Sequence, residues 1–492
     1  MVNGLVKIGR NSLIYWLASA IPLLVGFFIL PVYTRYMTPT DYGVLGMLAA
    51  IASPLGVIFC LQLNVAVLRF FFDYEGDEEK TYLGTMFVFL MIYAIPLALI
   101  LIFFGQPLFK IIFKSEELAF YPLIVWQIIV SYLALAWIVP SAVFKARQEA
   151  YKWASCALAS FVLGTALTMY FIIVHKEGAM GVVRASLIAQ SIMTVVYIYI
   201  ISRNVSFRFQ WSKLKESLLF TLPLVPNAFI GIIFAFADRW FLEHYYTLVE
   251  VGLYTMALRF GQLPGMLYSA SGDAWMPVFF NTANKDETQA KSLLSRTITF
   301  WAAGGGLVTL VVAFFSREVI MVMTTPQFYP AHTIIPILVF GGLLAGVYFY
   351  PRYAILFVKK TKMFVLVTWI AGSTKVLANY LLIPLYGMFG AAFSGLIANV
   401  ITLIIIYLIV WKYYPLRFEY TKLAKIFGMV VILLVGVYFL STESWFINVP
   451  MKLGALVLYV LGLVFFGVVE KSLLVQIKNN LNWKTIISVL KG

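Results

Sequence analysis

Long apolar runs alternate with short polar links from Ser12 to Val469. Fourteen runs predict helices: 11–30, 44–68, 82–104, 119–140, 153–174, 179–201, 217–237, 251–279, 297–315, 333–356, 363–383, 388–410, 426–440 and 453–469. Most approach the roughly 20 residues that a helix rising 1.5 Å per residue needs to cross a ~30 Å hydrocarbon core. The last two are the shortest. No link is long enough to fold as a separate soluble domain. The first run lacks a small-residue cleavage site after a short apolar core, so it reads as a retained span. An even number of spans puts both termini on one side of the membrane.

The pattern repeats. Asp41-Tyr-Gly-Val-Leu-Gly-Met47 and Glu250-Val-Gly-Leu-Tyr-Thr-Met256 open the second and eighth helices, with their glycines 209 residues apart. Gly178-Ala-Met-Gly-Val-Val-Arg-Ala-Ser-Leu-Ile-Ala-Gln190 and Gly387-Met-Phe-Gly-Ala-Ala-Phe-Ser-Gly-Leu-Ile-Ala-Asn399 open the sixth and twelfth at the same offset. Small residues recur in membrane helices because they pack closely. That accounts for one match; two at one offset point to duplication. Thr34-Arg35-Tyr36 also resembles Asp238-Arg239-Trp240 if about five residues are inserted in the second copy. The expected architecture is all-α: two parallel six-helix lobes, 1–201 and 217–410, joined by a basic cytoplasmic linker, 202–216. Residues 411–492 add two helices and a basic cytoplasmic tail. Parallel repeats of this kind are typical of transporters whose lobes rock about a substrate path.

Composition agrees with the pattern: 62% hydrophobic residues, 12% charged, and a mean hydropathy of +0.93. Of 36 Lys and Arg, 25 fall in links on the side of the N-terminus, 7 on the other side and 4 inside helices. The positive-inside rule then places both termini in the cytoplasm. The net charge of +15 is topology facing anionic headgroups, not a nucleic-acid footprint.

A charge at mid-membrane costs about 2.5–3.5 kcal/mol on insertion scales, so such residues usually face a bundle interior or wet cavity. The candidates are Arg184, Arg259, Arg352 and Lys375, against one principal acid, Asp273. Lys375 lies about 18 Å past Met363 and Arg259 about 10 Å past Gly252 along their helices. Both are read as cavity-facing. Arg184 and Arg352 lie nearer helix ends, where snorkelling is an equal reading. Excess buried cation selects an anionic ligand, and a pyrophosphate suits arginine forks and a lysine point charge. Arg35 and Arg239 are placed at equivalent outer helix ends, either lining an outer gate or pairing with Asp41 or Asp238. Asp273 is an ion-coupling candidate if desolvation lets it carry a proton, or else a local ion-pair partner. The position 209 residues earlier is Asn64, so the first half lacks the acid.

Pro22, Pro223 and Pro226 mark expected kinks, and Gly304-Gly-Gly306 and Gly341-Gly342 mark bends or close helix approach. His175, His244 and His332 are not at ligand spacing, and Cys60 and Cys156 fall within apolar runs. No metal site, disulfide or cofactor is expected. No phosphate-binding Gly-x-x-x-x-Gly-Lys-Ser/Thr loop occurs, so an ATP motor is not expected.

Leu30-Pro-Val-Tyr-Thr-Arg-Tyr-Met-Thr-Pro-Thr-Asp-Tyr-Gly43, Leu222-Pro-Leu-Val-Pro-Asn, Ala237-Asp-Arg-Trp-Phe-Leu242, Val251-Gly-Leu-Tyr-Thr-Met-Ala257, Ala274-Trp-Met-Pro-Val-Phe-Phe280 and Gly387-Met-Phe-Gly-Ala-Ala392 carry a resemblance. It is to the bacterial polysaccharide-biosynthesis flippases of the multidrug/oligosaccharidyl-lipid/polysaccharide exporter superfamily, and it spans almost the whole chain. It implies a multi-pass protein of the bacterial cytoplasmic membrane. This would be a transporter rather than an enzyme, exporting an undecaprenyl-pyrophosphate-linked oligosaccharide for O-antigen, lipopolysaccharide or capsule by alternating access. The implied partners are that lipid-linked substrate, membrane lipids, H+ or Na+, and polysaccharide polymerase and other assembly proteins. Related lipid II flippases use arginines in the first, second and eighth helices; only Arg259 matches. Substrate contacts are therefore expected at Arg259 and Lys375, then at Arg184, Arg352, Arg35 and Arg239. Two alternatives stay open: a multidrug or small-solute antiporter of the same superfamily, and a membrane-embedded polymerase or ligase. The latter would need larger outer loops with catalytic groups.

Overall fold

A computed structural model describes residues 2–203, 205–440, 442 and 445–468. Among them there are α-helices and short helical turns but no strand. Among the described residues, each of the fourteen apolar runs lies mostly on helix. The first run is α1 (Val2–Phe28) and α2 (Leu30–Tyr36); the second is α3 (Pro39–Cys60) and α4 (Leu63–Phe70); the third is α5 (Asp77–Ile112). The fourth holds α6 (Val125–Leu133) and α7 (Ile138–Ala146), followed by α8 (Ala150–Ile173) and α9 (Gly178–Ser202). The seventh is α10 (Trp211–Thr221) and α11 (Val225–Tyr245), and the eighth is α12 (Leu248–Gly261) and α13 (Leu263–Lys285). Then come α14 (Glu287–Met323), α15 (Ile335–Phe349) with α16 (Pro351–Phe357), α17 (Lys362–Tyr413), α18 (Tyr420–Leu440) and α19 (Trp445–Phe465).

Among the described residues, eleven helical stretches are long and apolar enough to cross a membrane, or twelve when α1 and α2, bent by 45°, count as one span. Two features separate this count from fourteen. The 52-residue α17 contains both the eleventh and twelfth runs, divided where Gly387 takes φ +53°. The eighth run breaks at Gln262 and carries Arg259 and Asp273, which lower its hydropathy. The thirteenth and fourteenth runs are longer than the sequence pattern suggested, at 21 residues each.

The breaks have local causes. Leu61 and Gln62 both adopt left-handed backbone between α3 and α4, a conformation costing roughly 1–2 kcal/mol per non-glycine residue. Pro223 and Pro226 lie in the turn between α10 and α11 and in the first turn of α11, where a missing N–H is tolerated. Pro22, in contrast, is carried inside α1.

The chain condenses into two compact units. One comprises the chain up to Met256 together with Met321–Pro330 and Lys375–Ser394; the other comprises Ala257–Ile320, Ala331–Thr374 and the chain from Gly395. In the first, Leu63, Val67, Tyr82, Leu83, Met86 and Leu214 are fully buried in one cluster. The basic link after α9 is folded onto α5: Ser206 N donates to Lys80 O at 3.0 Å, and Lys213 Nζ donates to Glu78 O at 3.1 Å. In the second unit, Tyr268, Leu294, Leu310, Tyr350 and Tyr459 form the core. Gly305 and Gly306 lie against the hydroxyls of Tyr268 and Tyr459, so the glycine run serves close packing, while Gly304 has open space around it. The appended α19 is anchored by a buried ion pair, Lys452 Nζ to Glu318 Oε1 on α14. Lys452, which the fourteen-run pattern leaves in the link before the last run, lies inside α19 with 3% exposure.

Candidate functional site

Lys375, deep in α17, is 8% exposed. Its Nζ lies 2.8 Å from Asp238 Oδ2 on α11 and donates to Phe234 O at 3.0 Å. Two more groups close around the same carboxylate: the Tyr254 hydroxyl donates to Oδ2 at 2.6 Å and Asn379 Nδ2 donates to Oδ1 at 2.9 Å. Asp238 is 3% exposed, Tyr254 1% and Asn379 0%. An ammonium has three donors; Asp238 and the Phe234 carbonyl engage two of them. Asp238 is thus a second deep acid, in addition to the expected Asp273, and it compensates one of the cations expected to be in excess. The partner is 137 positions away in sequence, on another helix, where the sequence offered Asp238 as one possible partner of Arg35 or Arg239. Neutral Asn379, one turn after Lys375, was the overlooked signal.

The other expected ligands separate. Arg184 Nη1 pairs with Glu177 Oε1 at 2.5 Å, with its guanidinium over Trp126 and Phe171 at 5.5 and 5.6 Å. It too has a carboxylate partner, so the expected excess of uncompensated cation is smaller than the sequence implied. Arg352 lies 3.5 Å over the Phe349 ring at the start of α16. Arg259 is exposed in the last turn of α12. Arg35 is exposed in the last turn of α2. Arg239 is half-buried, its Nε donating to Thr255 Oγ1 at 3.4 Å. Asp273 belongs to α13, and its side chain lies outside the described residues.

The helix ends expected to face outward show the repeat in three dimensions. Thr38 and Asp41 form a capping box on α3, satisfying backbone donors that a helix start leaves open. Asp41 Oδ1 also accepts Ala179 N at the start of α9, at 2.8 Å. In the second copy Glu250 Oε2 accepts Met388 N at 3.0 Å. Both members of the second contact lie 209 residues after those of the first. Gly178 and Gly387 precede the capped N–H groups with φ of +55° and +53°, a region natural to glycine. A Cβ on either would press on the capping carboxylate.

The same offset runs through contacts between the copies. Gly43 lies against the Leu248 carbonyl and Gly252 against the Pro39 carbonyl, each too close for a Cβ. Gly46 faces Thr255, its own counterpart. Thr34 Oγ1 donates to Met323 O at 3.3 Å, and Lys114 N donates to Glu243 Oε1 at 2.7 Å. Thr34 therefore corresponds to Glu243 with no insertion. This overturns the equivalence of Arg35 with Arg239: the counterpart of Arg35 is His244.

The sequence profile of the polysaccharide biosynthesis protein family matches residues 8–283, more than half of the chain. The chain belongs to the polysaccharide biosynthesis protein family. This family member is 21% identical over 303 residues to a protein of the Lsg locus of Haemophilus influenzae, covering 60% of this chain and 71% of that protein. Its fold resembles that of the lipid II flippase MurJ in an inward closed conformation, with a TM-score of 0.73 at 16% identity, over 91% of this chain and 98% of the other. An inward-facing multidrug resistance MATE family transporter of the MOP superfamily follows at TM-score 0.58 and 15% identity, over 86% and 99% of the two chains. The expected helical, multi-pass fold and family are thus found.

Proposed function

We propose that this protein is a flippase carrying an undecaprenyl-pyrophosphate-linked oligosaccharide across the bacterial cytoplasmic membrane by alternating access. Membership of a polysaccharide biosynthesis family in a chain that takes the lipid II flippase fold over 91% of its length supports this reading most directly. The lipid tail would stay in the bilayer while the sugars cross. Arg259, exposed on α12, is the proposed pyrophosphate ligand. Lys375 is also proposed as a ligand, exchanging Asp238 for phosphate oxygen, since both acceptors offer the same anionic oxygen to an ammonium. Arg184, Arg352, Arg35 and Arg239 are proposed as secondary contacts. Transport would draw on an H+ or Na+ gradient, with Asp273 as the proposed coupling acid, and would hand its product to a polymerase and other assembly proteins.

Export of a pre-assembled repeat unit makes a specific prediction for cells lacking this protein. Undecaprenyl-pyrophosphate carrying a complete oligosaccharide should accumulate in the inner leaflet, and purified protein in vesicles should move that lipid between leaflets. Accumulation of short, exported but unpolymerised units would favour a polymerase instead. A MATE-like antiporter is the second reading, favoured by the shared fold. It predicts drug efflux and no lipid-linked intermediate.

A further inference from the structure

The contacts at the outer helix ends do more than record a duplication. Within each copy a carboxylate joins two helix starts: Asp41 joins α3 to α9, and Glu250 joins α12 to the second segment of α17. Each pair of helix starts is thereby held together. Between the copies the central contact is different in kind. Gly43 and Gly252 bring two backbones together with no side chain between them, and Gly46 meets Thr255 beside them. A close backbone seam of this kind holds by van der Waals contact, which falls off steeply with a small separation.

Two further contacts lie beside the seam, one from each copy. On one side Thr34 Oγ1 donates to Met323 O, while Thr325 Oγ1 donates to Thr34 O at 3.2 Å. Tyr42 packs edge-on against Phe328 there, with ring centroids 5.1 Å apart. On the other side, Glu243 Oε1 accepts both Lys114 N and Ser115 N, at 2.7 and 2.6 Å. Trp240 Nε1 donates to Ile112 O at 2.9 Å. Glu243 is 2% exposed. The buried carboxylate is held at Oε1 by these two donors, while Oε2 has no hydrogen-bond partner among the described residues; bond for bond, such charge-assisted contacts are stronger than the neutral bonds Thr34 makes. The pseudo-symmetric seal is therefore stronger on the Glu243 side.

We propose that the Gly43–Gly252 seam is the outer gate of the transporter and that Glu243 is its principal latch. The glycines let the gate close fully. The carboxylates at Asp41 and Glu250 make each half of it move as one piece. Glu243 sets how much interaction must be given up on opening. This rests on the proposed transport cycle and its cytoplasmic N-terminus, and it assigns residues and an order of strength to a step that cycle requires.

The test reads the gate without the substrate. In a background with Cys60→Ser and Cys156→Ser, Thr255→Cys is a reporter beneath the seam, exposed to a membrane-impermeant thiol reagent from outside. The parent should label slowly. Glu243→Ala, which removes the acceptor, should raise the labelling rate about tenfold or more, the population shift that ~1.4 kcal/mol produces. Glu243→Gln keeps an acceptor oxygen and should stay near the parent. Gly43→Ala should raise labelling through the clash with Leu248. A short bis-thiol cross-link between Thr34→Cys and Thr325→Cys should stop lipid transport, with recovery on reduction. Equal labelling of the parent, Glu243→Ala and Glu243→Gln in folded protein overturns the latch. Undiminished transport by the cross-linked protein overturns the gate, even if Gly43→Ala fails to accumulate. Labelling that follows the expected order in a protein that moves no lipid-linked oligosaccharide leaves the gate standing and removes the substrate reading.

Discussion

Lys375→Met leaves the Asp238 carboxylate at 3% exposure with, among the described residues, the Tyr254 hydroxyl and the Asn379 amide as its remaining donors. Breaking a buried pair by removing one partner costs about 3–5 kcal/mol, because the remaining charge is uncompensated. At 1.4 kcal/mol per factor of ten, that is a shift of roughly 100-fold or more in the folding equilibrium. The single variant should therefore melt well below the parent, whatever Lys375 does in transport. Asp238→Asn alone should cost a similar amount, because it strands the ammonium. The pair Asp238→Asn with Lys375→Met removes both charges, leaves an amide for Tyr254 and Asn379 to bond, and should recover most of the stability. Replacing a buried pair as a unit is often nearly neutral. The two readings of Lys375 separate at this point. If Lys375 exchanges Asp238 for pyrophosphate, the double variant should regain its melting temperature but not its flipping in vesicles. If Lys375 only neutralises Asp238, transport should return with stability. Melting in detergent and leaflet exchange of a fluorescent lipid-linked oligosaccharide give the two readouts. A stable double variant that flips normally refutes the ligand role.

Arg259→Ala should abolish flipping with little loss of membrane-inserted protein, whereas Arg352→Ala, stacked on Phe349, should reduce it less; equal effects would remove Arg259 from its proposed place. Lys452→Met should lower the melting temperature by stranding Glu318, and Lys452→Met with Glu318→Gln should restore it; no change in the single variant would mean that the pair does not anchor α19. For orientation, cysteines at Ser202 and Lys360 should be shielded from an impermeant thiol reagent in intact cells and one at Tyr386 should react. Tyr386 is the better reporter than Gly387, whose backbone disfavours any side chain, and the reverse labelling would invert the topology. Asp273→Asn should lose gradient-driven transport but keep gradient-free exchange if Asp273 couples an ion; full gradient sensitivity in the variant rules that out.

The helices were legible because membrane spans write themselves in hydropathy, and among the described residues all fourteen runs fall mostly on helix. The repeat was legible where it is carried by glycine and an acid, residues with strict local jobs: Asp41 and Glu250 cap, and Gly178 and Gly387 bend. It was misread at Thr34, where a chance likeness of Thr34-Arg35-Tyr36 to Asp238-Arg239-Trp240 suggested an insertion. The true counterpart, Glu243, shares no side-chain chemistry with threonine. Thr34 bonds to Met323 and Glu243 to Lys114, equivalent segments 209 residues apart, and only these contacts reveal them as a pair. Lys375 was legible as a deep charge but not as a paired one. Sequence gives depth along one helix; it does not say which carboxylate on another helix meets it.

That limit is itself informative about where the chemistry lies. By the offset of 209, Asp238 falls on Ile29, Tyr254 on Leu45, Lys375 on Ala166 and Asn379 on Tyr170. No charged residue stands at any of these four positions, so the buried polar cluster cannot be rebuilt in the first copy. The capping acids, the φ-positive glycines and the backbone seam are retained in both copies. A scaffold needs both halves to close in the same way, so its contacts stay symmetric. A ligand or a coupling ion needs one site, so its residues do not. The Asp238–Lys375–Asn379–Tyr254 cluster departs from the symmetry as a complete set, in a setting where every charge is costly. A cluster kept only for stability would be cheaper as apolar side chains, and three of its first-copy counterparts, Ile29, Leu45 and Ala166, are apolar. Converting all four residues to those counterparts should give a protein that folds and seals but does not transport. Transport by that variant at the parent's rate would show that the asymmetry is incidental.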